Sequence, residues 1–306
     1  EKNTLTERVL QFGEGNFLRG FVDWMIDKLN KENGGDYGVT IVQPLTGGLV
    51  DKLNAQDGRY SLYLRGLLKG EKVEETRIVD CVTRGINPYT NTDEFFDCAK
   101  NPDLRFIVSN TTEAGIEYKP NQNPDDFNGL TFPGRLTLFM KKRFDEELGG
   151  FILLPCELID KNGDNLKECI LKYSVDWGYG GEFEKWIETE NHFTNTLVDR
   201  IVTGYPRDNA KEMEQSYGYL DDMIDTAEIF HLWVIEGDKK LAEEIPFHKI
   251  GLNVLWTDDV TPYKKRKVRI LNGAHTMTVL AAHLAGLETV KDAMDDELVF
   301  SFMKQG

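Results

Sequence analysis

Apolar positions fall into two alternating periods over most of this chain. Residues 6–12 read as a short buried strand that passes straight into Gly13-Glu14-Gly15. Phe21, Trp24, Met25 and Leu29 then recur on one side at helical spacing. Compact apolar runs at 37–44, 104–110, 150–156, 230–235 and 252–256 read as further strands, and 93–100, 135–148, 166–175 and 182–187 read as helices. Segments 61–66 and 76–82 have strand character with polar turns between them, and predict a hairpin inserted after the second strand. Residues 118–132, rich in Pro, Asn and Asp, predict a loop. Strand and helix alternate to about residue 235, the pattern of a mostly parallel sheet covered by helices. After Pro262 the period becomes helical, over 264–285 and 287–304. The shift places a domain change within 247–262, with an α/β domain over 1–246 and the start of a mainly helical domain over 247–306.

Strand, glycine turn and helix in that order are the context of a dinucleotide-binding fingerprint. Gly13 would permit the tight turn, and Gly15 would let the backbone approach a pyrophosphate at the helix N-terminus. Leu18 stands where a third glycine is expected, and Gly20 comes two residues later. A glycine turn in some other βα unit reads equally well from these residues alone. In a dinucleotide site an acid near the end of the second strand would bind the ribose hydroxyls. None is there: Gln43, Pro44, Leu45 and Thr46 follow the strand, so another residue takes that role or the adenosine end is held differently. The strand at 104–110 runs into Asn110-Thr111-Thr112-Glu113-Ala114-Gly115. Ligands of open α/β sheets sit outside the carboxyl ends of strands. These residues are therefore placed for a ligand, or else Thr111 or Thr112 caps a helix with Glu113 in its first turn. Asp199 beside Arg200 reads as a structural ion pair or as a pair near the ligand.

The stretch Arg266-Lys267-Val268-Arg269-Ile270-Leu271-Asn272-Gly273-Ala274-His275 holds a second cluster. On a helix at about 100° per residue, Lys267, Asn272 and His275 share roughly 140° of arc. Val268, Leu271, Ala274 and Thr278 occupy the other face and can pack. Reducing a ketone by hydride puts negative charge on its oxygen, which needs a donor aimed at it and a proton source. Asn272 can donate, Lys267 can deliver or accept the proton, and His275 can orient the substrate. As a base near neutral pH, Lys267 would need a pKa below the ordinary value of about 10.4. A solvated basic helix end and a satisfied core histidine explain the same residues.

Composition narrows the partners. The 306 residues carry a formal net charge of −16, and the resulting field repels nucleic acid and anionic membrane. No run of 18 apolar residues predicts a membrane span, and Glu1-Lys2-Asn3-Thr4 lacks a signal-peptide pattern. Cys81, Cys98, Cys156 and Cys169 have no CxxC spacing and read as reduced thiols of a cytoplasmic protein. The five histidines show no metal-binding spacing. The basic run 264–269 in an acidic chain could attract a substrate carboxylate and cofactor phosphates.

Taken together, Gln11-Phe12-Gly13-Glu14-Gly15-Asn16-Phe17-Leu18-Arg19, Ser109 to Gly115, Pro155-Cys156-Glu157-Leu158-Ile159-Asp160, Leu197 to Pro206 and the Lys267/Asn272/His275 helix occur in an order that resembles the polyol-specific long-chain dehydrogenases, the mannitol dehydrogenase family. The resemblance spans nearly the whole chain. It implies a Rossmann-type domain, a helical C-terminal domain of which only the beginning is present, and an active site in the cleft between them. It implies NAD as cofactor, bound by Gln11, Phe12, Gly13, Gly15, Asn16, Phe17, Leu18, Asn110, Thr111, Thr112 and Glu113, with no metal. Lys267, Asn272 and His275 would be catalytic, and the substrate a small sugar acid: a keto-hexuronate interconverted with its aldonate, or another polyol or ketose such as mannitol or fructuronate. In one respect the chain departs from the pattern. Relatives carry an asparagine that polarises the reacting oxygen where Leu158 stands, and leucine cannot donate. A Rossmann-type methyltransferase and a non-catalytic nucleotide-binding regulator share the glycine turn but have no use for the Lys/Asn/His helix.

Overall fold

The structure, a computed structural model, describes residues 4–305 other than 69 and 113. Its chain divides into two compact units, Glu1–Asp258 and Asp259–Gly306.

The first unit contains strands β1 (Glu7–Phe12), β2 (Gly38–Val42), β3 (Tyr60–Leu68), β4 (Glu71–Val79), β5 (Val82–Ile86), β6 (Phe106–Ser109), β7 (Ile152–Pro155), β8 (His192–Phe193), β9 (Asn195–Asp199), β10 (Asp225–Glu228), β11 (Leu232–Glu236) and β12 (Val254–Thr257). Six of them form a fully parallel sheet in the order β5-β2-β1-β6-β7-β8. Its strands are apolar at consecutive positions because both faces are covered. Val9, Ile41, Phe106 and Ile152 belong to one buried core, and Leu10, Val42, Ile107 and Leu153 belong to another. Successive strand residues point to opposite faces, so each strand feeds both cores. Phe21, Met25 and Leu29, the apolar stripe of the first helix, are fully buried in the first core, with Trp24 at 4% exposure beside them. Burial of each such side chain stabilises by about 1.5–3 kcal/mol relative to exposure.

The predicted strand 76–82 is in fact two strands in different sheets. β4 pairs with β3 as a hairpin, and that hairpin joins β10 in a separate three-stranded sheet. Val82 instead begins β5 at the edge of the main sheet. The chain leaves one sheet and enters the other at Asp80-Cys81, with no glycine or proline to mark the break. A third small sheet has the order β12-β11-β9. β10, with the sequence Asp-Thr-Ala-Glu, carries no apolar run and gives no strand signal in the sequence.

The second unit is helical. The predicted continuous helix 264–285 is interrupted: Thr261–Arg266 is α-helical, Lys267–Asn272 is a π-helical turn, and Gly273–Leu284 is α-helical again. Helices Val290–Asp295 and Glu297–Gln305 follow. Val260, Thr278, Ala282 and Val299 are its buried residues among those described. The packing face expected of Val268 and Leu271 is not realised, since they are 48% and 55% exposed. A π turn carries more residues than an α turn, so the α-helical wheel does not apply across it. Among the described residues no helix is long and apolar enough to cross a membrane.

Candidate nucleotide site at the sheet's carboxyl edge

In this sheet β2 and β5 lie on one side of β1, and β6, β7 and β8 on the other. The connections leaving β1 and β6 therefore part in opposite directions, which opens a crevice at the carboxyl ends of these two strands. The edge is held in register by backbone hydrogen bonds. Gly13 N–H donates to Val42 O at 3.1 Å, Asn110 N–H to Phe12 O at 3.1 Å, and Cys156 N–H to Ser109 O at 2.7 Å.

Gly13 closes the turn with φ +127°, and a Cβ there would lie 3.2 Å from the Asn110 carbonyl oxygen and 3.3 Å from Leu18. Its need for glycine is conformational. Gly15 differs. Its φ is −64°, and a Cβ would meet nothing within 4 Å. Folding does not require glycine there, so the open space in front of it fits a ligand that comes close to the backbone. The helical run from Asn16 to Asn33 begins at this point, with Gly15 at its N-cap and, among the described residues, no side-chain cap there. Its first N–H donors and the helix dipole favour an anion. The residues present therefore fit a dinucleotide phosphate.

Behind the turn lies a buried polar cluster. Gln11 is completely buried; its Nε2 donates to Gly13 O at 3.0 Å and to Asp23 Oδ2 at 3.3 Å. Its side chain thus braces the turn from inside. Arg19, 1% exposed, donates to Glu14 O, Met223 O and Asn16 Oδ1 at 3.0, 2.6 and 2.8 Å, and lies over the Tyr60 ring. Tyr60 Oη donates to Arg19 O at 2.8 Å. Burial drives the Asp23 carboxyl up to about 7, against the opposing effects of Gln11, Arg19 and Tyr60, and the nearby Asp225 adds to the rise. Asp225 is likewise pushed to about 7 by burial. A π-helical turn, Arg19–Asp23, places Arg19, Gly20 and Asp23 inward together.

The other named residues divide by exposure. Phe12 is buried and packs on Phe95 and Phe132. Leu18 is buried above Gly13, and half-buried Phe17 stacks on Phe21 at 5.0 Å. Asn16 is exposed. Asn110 and Thr111 are half-buried and Thr112 is exposed, at φ +77°. Glu113 lies outside the described residues. Among the described residues no helix begins at Thr111 or Thr112, so the helix-cap alternative for this turn does not hold. The turn is held by Glu157, in the segment that follows β7, whose carboxylate accepts from Ser109 Oγ, Thr111 N–H and Thr111 Oγ1, each at 3.0 Å. Burial raises its pKa, and these donors oppose the rise. Glu157 stands in the Pro155–Asp160 block quoted from the sequence but was given no role there; a carboxylate two residues past a buried four-residue strand was the available signal. Leu158 is 64% exposed. Asn162 does not substitute for the missing asparagine, because its buried amide donates to Pro155 O at 3.0 Å and Glu157 O at 3.1 Å and accepts from Gly163 and Thr196 N–H. Arg200 donates to Glu228 O and Gly20 O, both at 2.8 Å, and sits 4.1 Å from the Trp24 ring centre. It is a structural residue.

In the second unit Lys267 opens the π turn and is half-buried, while Asn272 closes it and is exposed. His275 is exposed on the wall of an apolar groove of about 780 Å³ that also includes Ile270, Leu271, Thr278, Val299 and Met303. π turns are rare and frequent at functional sites.

Residues 7–249 match the mannitol dehydrogenase Rossmann domain, and residues 259–305 match the mannitol dehydrogenase C-terminal domain. The chain belongs to the mannitol dehydrogenase family. Gly13, Gly15 and the Thr111 turn fall in its Rossmann domain, and Lys267, Asn272 and His275 fall in its C-terminal domain. An altronate oxidoreductase of Cronobacter sakazakii is 48% identical over 98% of this chain, as is one of Shigella flexneri. The chain spans 63% of the length of these curated relatives. Among solved structures, a D-sorbitol dehydrogenase in substrate-free form aligns over 98% of this chain and 64% of its own, at 25% identity and TM-score 0.83. The mannitol 2-dehydrogenase of Pseudomonas fluorescens, in a complex with NAD and D-mannitol, aligns over 98% and 63% at 22% identity and TM-score 0.79, a likeness of fold.

Proposed function

We propose that this chain is the catalytic part of an NAD-dependent altronate oxidoreductase of the cytoplasm, which interconverts the keto-hexuronate tagaturonate and its aldonate, altronate. The observation that carries the reading is 48% identity to altronate oxidoreductases over 98% of the chain, at a fold whose glycine turn leaves open space at Gly15. Bound NAD would supply or take up the hydride. The chain's own residues do the rest. Gly13 and Gly15 admit the pyrophosphate to the N-terminus of the first helix, and Gln11 braces that turn from behind. Asn110, Thr111 and Thr112 border the crevice on the β6 side, with Glu157 holding Thr111. Lys267 gives a proton to the developing alkoxide in reduction and takes the hydroxyl proton in oxidation. Asn272 donates to the same oxygen, and His275 orients the substrate. Leu158 brings no second donor, so Asn272 carries the oxyanion alone.

The test is absorbance at the NADH band with tagaturonate, on the full-length enzyme. Wild type oxidises NADH; Lys267→Ala loses about 10²–10⁴-fold in rate, the usual contribution of a general acid, while NADH binding is retained. No oxidation by wild type, or full activity in Lys267→Ala, refutes the assignment. A panel of fructuronate, fructose and mannitol separates the substrates within the family.

A further inference from the structure

The acid that a dinucleotide site normally carries at the end of its second strand is absent: β2 ends in Val42 and is followed by Gln43, Pro44, Leu45 and Thr46. An acid nevertheless reaches that place from the glycine turn. Glu14 lies between Gly13 and Gly15, is 7% exposed, and has its Oε1 3.3 Å from the Leu49 N–H in the loop after β2. The loop is shaped around it. A Cβ on Gly48 would collide with Glu14 Oε1 and Gln43 Cδ, so no other residue fits at 48 without displacing one of them. Gln43 meanwhile folds back to donate to Leu45 O at 2.8 Å and Thr46 O at 3.2 Å. Glu14 Oε2 is buried and has no hydrogen-bond partner among the described residues. A buried carboxylate oxygen left without a donor is costly, and burial raises this carboxyl's pKa. Arg135 is the cation that reaches the segment after β2 and could attract a ribose phosphate. Its guanidinium is taken up by the Tyr89 hydroxyl and, at 3.4 Å, by Pro44 O.

Resting on the nucleotide-site reading above, we propose that Glu14 is the ribose-recognising acid of this site: its carboxylate accepts the adenosine ribose hydroxyls and excludes a 2′-phosphate, which makes the chain selective for NAD over NADP. The strand-2 position and Glu14 are alternative routes to one location, because the glycine turn and the β2 loop face each other across the carboxyl edge. A hydroxyl donated to Oε2 gives that oxygen its missing partner. A phosphate dianion at the same point meets a carboxylate, and the guanidinium of Arg135 is already committed. For the hydroxyl to reach Oε2, the exposed 45–48 stretch, whose Gly48 touches Oε1, has to shift.

The experiment is fluorescence titration of the full-length protein with NADH and with NADPH, with competition by 5′-ADP and 2′,5′-ADP and a thermal melt of each variant. Wild type binds NADH more tightly than NADPH by about tenfold or more, the equivalent of ~1.4 kcal/mol. Glu14→Gln removes the charge, keeps the shape, and narrows that ratio about tenfold, mostly by improving NADPH and 2′,5′-ADP; Glu14→Asp keeps the charge and the preference. Thr46→Arg, an exposed change that leaves Glu14 in place, brings a cation to the same ribose and raises NADPH affinity by about tenfold with NADH unchanged; it serves if Glu14→Gln does not fold. An unchanged NADH to NADPH ratio in Glu14→Gln, equal weakening of both nucleotides, or no gain of NADPH binding in Thr46→Arg overturns the proposal while leaving the nucleotide site standing. Wild type that binds neither nucleotide overturns both.

Discussion

Replacing Asp23 by asparagine isolates one buried charge behind the glycine turn. Asp23 is completely buried, and its carboxyl sits at about 7 instead of the ordinary 3.8. Its Oδ2 has only two long partners among the described residues, Gln11 Nε2 at 3.3 Å and Tyr60 Oη at 3.4 Å, and Oδ1 has none. Because the folded-state pKa is raised, folding favours the protonated form. That contribution is complete below the unfolded value near 4 and is lost as pH rises through about 7. A shift of about three units corresponds to ~4 kcal/mol at 1.36 kcal/mol per unit, an upper figure that relaxation reduces to a few. The asparagine amide cannot ionise. Asp23→Asn should therefore gain on wild type as pH rises, by about 1–3 kcal/mol between pH 5 and pH 8, roughly 3–10 °C in Tm for a unit of this size. The assay is urea unfolding of both proteins between pH 5 and 8, compared as a difference. The difference removes shared titrations that run the other way, such as that of His231, whose burial lowers its pKa to about 4. A constant difference across the range would refute the reasoning, since the Asp23 charge would then cost nothing specific to the fold.

Two further outcomes follow from the same edge of the sheet. Glu157→Ala leaves the Ser109 hydroxyl buried without its acceptor and frees the half-buried Thr111 donors to water; stability should fall by about 2–4 kcal/mol, read by urea unfolding, and NADH binding should weaken because the Thr111 turn loses its clamp. Gly13→Ala places a Cβ at φ +127° within 3.3 Å of Asn110 O and Leu18, and should cost about 1–3 kcal/mol by thermal melt.

The main sheet was legible because its strands are buried on both faces and read as apolar runs, as at Phe106–Val108 and Phe151–Leu154. What escaped is polar or irregular. β10 is Asp-Thr-Ala-Glu, stabilised by pairing with β3, which no local pattern announces. The π turns at Arg19–Asp23 and Lys267–Asn272 break the 100° wheel, so faces drawn through them were wrong for Val268 and Leu271. In the site, Gly13 and Gly15 look alike in sequence and differ in structure: one serves the turn, and the other leaves room for a ligand. Glu14 and Glu157 act across elements, from a turn to the next strand's loop and from the segment after β7 to the end of β6. Spacing along the chain does not contain that information.

The claim that the carboxyl edge of this sheet is a nucleotide site meets its most direct test in Gly15→Val. The position has ordinary φ and open space, so the variant should melt with wild type, within about 0.5 kcal/mol, as a surface change does. By titration of NADH fluorescence, it should lose binding that wild type shows. Undiminished NADH binding by a fully folded Gly15→Val protein would contradict the account.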